Sequence, residues 1–266
     1  MMKFAIVYSP EIKEANLAIS RRLIGFERAI KSFNIKYVRP ETFEFDESVL
    51  YEIHTREMIE KVRRFFASSS TFRSAWAVYT AAKLLKDFDF VFVPTSGTGH
   101  NAMRDRFKGY SFLNDVNLAI KVLRDSGFKR VSILDTDSHH GDGVFEYIAY
   151  DRNSMYFCFC GKTGSSSDGK KICFGFEDEE EYLENVREAL ETMEKFTSDV
   201  LIWYVGQDAH EGELSDLNLS TECFRKITEL IKERIEDTKT LIILSGGSSE
   251  EVTEELTYTI LRTLIG

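Results

Sequence analysis

Residues 131–144 read VSILDTDSHHGDGV. Val131–Leu134 is a short, largely apolar run of strand type. A dense polar cluster follows at once: Asp135, Asp137, His139, His140 and Asp142. Gly141 and Gly143 then break any regular element. In an open α/β sheet, ligands bind just beyond the carboxyl ends of the strands, and this cluster sits where such a site would be. If strand geometry persists for a few residues, the period of two sets Asp135, Asp137 and His139 on one side. Two carboxylates and an imidazole are hard and borderline metal ligands. An Asp-rich, Gly-containing strand end also serves as an ordinary loop and helix cap. The histidines favour the site. The chain has five, His54, His100, His139, His140 and His210. Two are adjacent here, and His100 and His210 also follow apolar, strand-like runs, which points to one shared site.

Outward from this stretch, strand and helix patterns alternate. Strands are expected at Phe4–Tyr8, Ile35–Val38, Phe88–Pro94, Ser154–Cys160, Asp199–Val205 and Thr240–Leu244. Helical spacing covers Ala15–Phe33, Val49–Phe66 with a break at His54 and Thr55, Phe72–Leu85, Asn114–Arg124, Val144–Tyr150, Asp178–Phe196, Thr221–Ile235 and Glu250–Leu264. Ser68–Thr71 reads as a polar turn, and Gly161–Lys171 as a flexible polar loop. Alternation of this kind means an α/β fold, a mainly parallel sheet with helices on both faces. Four strands end in polar or glycine-rich turns, after Pro94, Leu134, Val205 and Leu244. They form one rim of one sheet. No linker or repeat divides the chain, so residues 1–266 are expected to form a single domain.

The chain has 266 residues, 43% apolar and 29% charged, with net charge −10. That balance suits a globular protein with a sizeable core. The acidity argues against direct nucleic-acid binding and against an anionic membrane surface, and suits a cationic substrate. Cys158, Cys160, Cys173 and Cys223 form no C-x-x-C pair, and two lie in an apolar run. They read as structural free thiols in a reducing compartment. With no signal-type leader and no run long enough to span a bilayer, the expectation is a cytoplasmic protein.

The four rim turns, in order, resemble the histone deacetylase family, whose relatives include acetylpolyamine amidohydrolases and acetoin-utilisation proteins. The matching text is GTGHNAMRDRFKGYSFLND (97–115), LDTDSHHGDGV (134–144), DAHEGELSDLNLS (208–220) and LSGG (244–247), with weaker matches at VYSPE near the start and HTREMIEKV (54–62). The resemblance implies an arginase–deacetylase fold of about eight strands. It also implies one Zn2+ held by Asp137, His139 and Asp208, the open three-ligand pattern of a catalytic zinc. An arginase-like two-metal site is not expected, because its D-x-H-x-D spacing is missing. A structural K+ or Na+ is implied behind the zinc, on oxygens of Asp135, Asp137, His139, Cys158 and Phe159.

Of the family's two catalytic histidines, the first maps to His100, backed by Asp135. The second maps to Asn101, and its backing carboxylate to Asp142. An amide does not titrate near neutral pH, so Asn101 cannot take a proton from water. The family's transition-state tyrosine follows a Gly pair. Here Gly246 and Gly247 are followed by Ser248, and Ser248 with Glu251 spells a capping box for the last helix. Substrate contacts carry over to Gly109, Tyr110, Gly247 and Ser248, with core packing the other reading of Tyr110. A helix arginine near the tunnel floor falls at Arg21 or Arg22. The rim loop shrinks to Ala67–Thr71, without its substrate-gripping Asp.

The resemblance therefore implies a zinc-dependent hydrolase that removes an acetyl or other acyl group from an amine such as acetyl-lysine or an acetylpolyamine. The alternative is a weak or silent zinc-holding member that binds an acylated ligand or a partner protein. A third reading is hydrolysis of a more activated bond such as an ester. Oligomeric state is left open.

Overall fold

The computed structural model describes residues 2–15, 17–235 and 237–266. Its strands are β1 (Phe4–Ile6), β2 (Phe90–Pro94), β3 (Val131–Asp135), β4 (Ser154–Cys158), β5 (Gly164–Ser165), β6 (Lys171–Cys173), β7 (Val200–Gly206) and β8 (Lys239–Ser245). They form one sheet in the order β1-β2-β8-β7-β3-β4-β6-β5. Every pairing is parallel except β5 with β6.

Strands buried on both faces need nearly continuous apolar residues, and β2, β3, β7 and β8 supply them, with Ser132 and Thr240 buried among them. Val91, Val93, Ile133, Ile202, Tyr204, Leu241 and Ile243 join the core on one face. Phe90, Phe92, Leu134, Leu201, Trp203, Val205, Ile242 and Leu244 join the core on the other. Helices Ser68–Leu84 and Asp115–Asp125 cover the first face. Helices Leu23–Ser32, Glu179–Phe196, Thr221–Lys232 and Glu250–Ile265 cover the second. The acidic helix Glu179–Phe196 buries Tyr182, Val186, Ala189, Leu190 and Met193 on the side that faces the sheet.

Four expected elements differ. Ile35–Val38 is not a strand; Val38 alone bridges to Val7. Ser68–Thr71 is the first turn of a helix rather than a turn, because the Ser70 and Thr71 hydroxyls bond the Ala67 carbonyl. Gly161–Lys171 is not a plain loop; it contains β5 and runs into β6, closed by the left-handed Gly161 and Gly169. The expected helix Ala15–Phe33 is broken into Ala18–Arg21 and Leu23–Ser32, and its Asn16 lies outside the described residues.

Candidate active site

β2, β3, β7 and β8 end at the same rim, and a cavity of about 610 Å³ opens there. At its floor the donor atoms of Asp137, His139 and Asp208 lie within 4.8 Å of one another. His139 Nδ1 is 3.0 Å from Asp137 Oδ1 and 2.8 Å from Asp208 Oδ2. β3 stops at Asp135, so Asp137 and His139 are presented by a tight turn in which Asp137 Oδ1 accepts the His139 N–H at 2.9 Å, and Asp208 meets them from the turn after β7. Asp208 is 9% exposed, and its Oδ1 has no hydrogen-bond partner. Burial, with Asp137 beside it, pushes the Asp208 carboxyl up. Hydrogen bonds to Asp137 and Asp208 push the His139 imidazole up to about 10. This pocket concentrates negative charge and attracts a cation.

His100 stands beside it, 2% exposed. Its Nδ1 donates to Asp135 Oδ2 at 2.7 Å, and its Nε2 lies 3.4 Å from Asp137 Oδ1. Burial alone would lower its pKa, but the charges of Asp135 and Asp137 prevail and raise it to about 10. Asp135 is itself fixed: Oδ2 also accepts from Tyr156 at 2.6 Å, and Oδ1 from the Asp137 N–H at 3.1 Å.

Two glycines allow this packing. A Cβ on Gly141 would meet the Tyr156 hydroxyl at 2.2 Å and both Asp135 Oδ2 and His100 Nδ1 at 3.1 Å. Gly246 has φ +69°, and a Cβ there would lie 2.8 Å from Asp208 Oδ1 and 3.1 Å from Asp137 Oδ2.

Asn101, Gly109, Tyr110, Gly247 and Ser248 all line the cavity. Asn101 Oδ1 is buried without a partner. Asp142 does not back Asn101: its carboxylate lies 3.3 Å from Lys108 Nζ, and among the described residues no hydrogen bond joins it to Asn101. Tyr110 stands 57% exposed at the mouth, so it is not a core residue. Ser248 does not cap the last helix. The cap is Ser249, whose hydroxyl accepts the Val252 N–H at 3.2 Å. The Ser248 and Ser249 N–H groups instead donate to Glu213. Asp135, Cys158 and Phe159 lie at the β3 and β4 ends, where the main-chain oxygens of Asp135 and Cys158 accept N–H bonds from Phe159 and Phe174.

Of the two candidate arginines, Arg22 is the one at the cavity. It is buried, donates from Nη2 to the Thr95 carbonyl at 2.8 Å and from Nη1 to Gln207 at 3.2 Å, and lines the cavity. Arg21 faces out towards Glu250. Sequence reasoning missed Tyr204, whose ring stacks on His100 at 4.9 Å and whose hydroxyl accepts the His100 N–H at 3.4 Å. It also missed Glu213, which fastens the Gly246–Ser249 turn. Their sequence signal is only position, in a rim strand and the turn beyond it.

The histidines do not share one site. His54 is structural, bonded to the Met103 carbonyl and the Asn114 N–H; burial pushes it down to about 4. His210 is held by Thr221 and the Gly212 N–H. His140 turns away from His139, towards Cys158, Cys160 and Cys173.

A family model described as the histone deacetylase domain matches residues 66–165 and 172–264. Acetylpolyamine amidohydrolase 2 of Pseudomonas aeruginosa is 27% identical over 173 residues, covering 58% of this chain and 49% of that protein. A probable deacetylase of Archaeoglobus fulgidus is 26% identical over 211 residues, covering 71% and 57%. The chain spans about half the length of the curated relatives it matches. The crystal structure of acetylpolyamine aminohydrolase from Burkholderia pseudomallei superposes with a TM-score of 0.87 at 18% identity, covering 98% of both chains. That likeness establishes the arginase–deacetylase fold read from the sequence.

Proposed function

The chain belongs to the histone deacetylase family, and from that premise we propose that it is a metal-dependent amidohydrolase removing an acetyl or other acyl group from an amine. The observation that carries this reading is the Asp137–His139–Asp208 donor set beside the His100–Asp135 pair at the floor of one cavity. The donors fit a divalent ion. Two carboxylates and an imidazole converge, and the buried Asp208 Oδ1 has no hydrogen-bond partner. Zinc suits this set, and when bound it supplies Lewis acidity towards the acyl carbonyl and acidifies water.

The chain's own residues do the rest. Asp135 holds the Nδ1 proton of His100, which leaves Nε2 as the atom that exchanges a proton with the reacting groups. Asp137, one of the two carboxylates that hold His100 charged, belongs to the donor set, so a bound cation would weaken its hold and leave His100 closer to its neutral, basic form. Asn101, at the place of the family's second histidine, orients rather than titrates. Ser248, at the place of its tyrosine, supplies no phenol. Tyr204 and Tyr110 are the phenols that line the cavity.

An acetylpolyamine or acetyl-lysine is the substrate class we favour, since acetylpolyamine amidohydrolases are among the relatives and net charge −10 suits a cationic amine. A structural K+ or Na+ on Asp135, Asp137, His139, Cys158 and Phe159 belongs to the same reading. So does a cytoplasmic setting, which four free thiols suit; no helix among the described residues is long and apolar enough to cross a membrane.

The test is acetate release from an acetyl-lysine peptide and an N-acetylpolyamine, with zinc-loaded native protein beside Asp208→Ala. Turnover in the native protein alone is the expected result. A second reading, a silent acyl-ligand binder, draws on Ser248 being engaged by Glu213 and on the untitratable Asn101. Absent turnover with metal still bound would replace the first reading with the second.

A further inference from the structure

The second of the paired histidines belongs to a different centre. We propose that His140, Cys158, Cys160 and Cys173 bind a structural zinc ion, separate from the Asp137–His139–Asp208 set. Their four donor atoms lie within 4.8 Å of one another. His140 Nδ1 is 3.6 Å from Cys158 Sγ, 3.9 Å from Cys160 Sγ and 3.5 Å from Cys173 Sγ. In a tetrahedral site with Zn–S of about 2.3 Å and Zn–N of about 2.0–2.1 Å, the nitrogen–sulfur edge is about 3.6 Å. The observed edges lie within a few tenths of an ångström of that value. Hydrogen bonding does not account for them. One imidazole nitrogen cannot satisfy three sulfurs, and thiols are weak donors and acceptors.

Three separate strands deliver the ligands. His140 follows β3, Cys158 ends β4 with Cys160 two residues on, and Cys173 ends β6. The parallel register sets Cys158 directly opposite Cys173. The chain between them turns back through β5. Cys158 is fully buried and Cys160 is 8% exposed. All four positions are protein donors, which is the closed pattern of a structural site, whereas the first centre keeps a position open. Three thiolates also make this the softer of the two sites and favour zinc over magnesium or calcium. The sulfurs sit too close for a polynuclear iron–sulfur core to fit between them. Asp142 Oδ1 lies 3.9 Å from His140 Nε2, on the side where a carboxylate steadies a ligating imidazole. Bound there, the ion ties β4 and β6 to the turn carrying His139 and fixes the direction of that side chain.

The experiment measures zinc per chain in the reduced, reconstituted full-length protein and in Cys173→Ser, His140→Ala, Asp208→Ala and Cys173→Ser/Asp208→Ala. The single variants should each lose one metal equivalent relative to native, and the double variant two. Cobalt substitution adds a readout independent of catalysis. Intense thiolate-to-cobalt absorption should persist in Asp208→Ala and vanish in Cys173→Ser and His140→Ala. In the unmutated protein, three thiols should react slowly with a thiol reagent until a chelator removes the zinc. A native chain holding a single equivalent that Asp208→Ala abolishes, or cobalt absorption without thiolate character, would overturn the proposal. So would a disulfide among these cysteines in place of the metal.

Discussion

Asp135→Asn removes one charge and almost no volume from the most buried polar pair of the site. Asp135 Oδ2 accepts from both His100 Nδ1 and the Tyr156 hydroxyl, and Oδ1 accepts the Asp137 N–H. An amide cannot serve all three. With its oxygen towards His100 and Tyr156, its NH2 opposes the Asp137 N–H. Flipped, it loses the other two bonds. At least one buried donor is stranded either way, at about 1–3 kcal/mol each. Removing the charge beside a buried imidazolium adds to this, giving a loss of about 3 kcal/mol at pH 7. Urea denaturation of the metal-free protein checks the stability, and NMR titration of the same protein should show the His100 imidazole falling from its position near 10. Deacetylation should slow about 10²–10⁴-fold, because the Nδ1 proton is no longer held. Tyr156→Phe, which removes one hydrogen bond but no charge, should cost only about 1 kcal/mol. A native urea midpoint in Asp135→Asn, with turnover within a few-fold of native, would refute the assignment of His100 as a carboxylate-steered proton carrier.

In metal-free protein, His100 and His139 are raised from 6.5 to about 10. The stability they contribute is fully present below pH 6.5 and is lost as pH climbs towards 10. Thermal melts across that window should fall in the apoprotein and fall less in the metal-loaded one. Gly246→Ala places a Cβ against Asp208 and Asp137 at a left-handed position; it should cost about 1–2 kcal/mol, with metal affinity by competition titration at least tenfold weaker. Ser249→Ala should lose about 1 kcal/mol as a helix cap, while Ser248→Ala should leave the melting temperature near native. The reverse order would restore the cap to Ser248.

The rim was legible in the sequence because its signals are local. Continuous apolar runs in β2, β3, β7 and β8 mark strands buried on both faces, and the polar residues after each run mark their ends. Asp137, His139 and Asp208, the set the family resemblance implies, lie together at that rim. What failed was long-range or one residue fine. C-x-C and a lone cysteine thirteen residues on carry no convergence signal until β6 is known to pair with β4 in register. His210 follows an apolar run just as His100 does, yet the chain turns it onto Thr221. The capping serine is settled by Glu213, which takes the Ser248 N–H and leaves Ser249 at the helix start. Asp142 fits the family's text but meets Lys108 rather than Asn101.

The strand order sets the timetable for making this protein. β8, the last of these strands in sequence, lies between β2 and β7. Until β8 is in place, β1-β2 and β7-β3-β4-β6-β5 can pair only as two half-sheets, each with an unpaired, wholly apolar edge strand, β2 or β7. Both candidate centres sit on β3 and its neighbours in the second half-sheet, but the cavity wall formed by β2 and β8 does not yet exist. A nascent chain stalled or cut before β8 is therefore a sticky intermediate and a ward of chaperones. Completion of the sheet, and with it of the candidate cavity, waits for β8 to slot in between them.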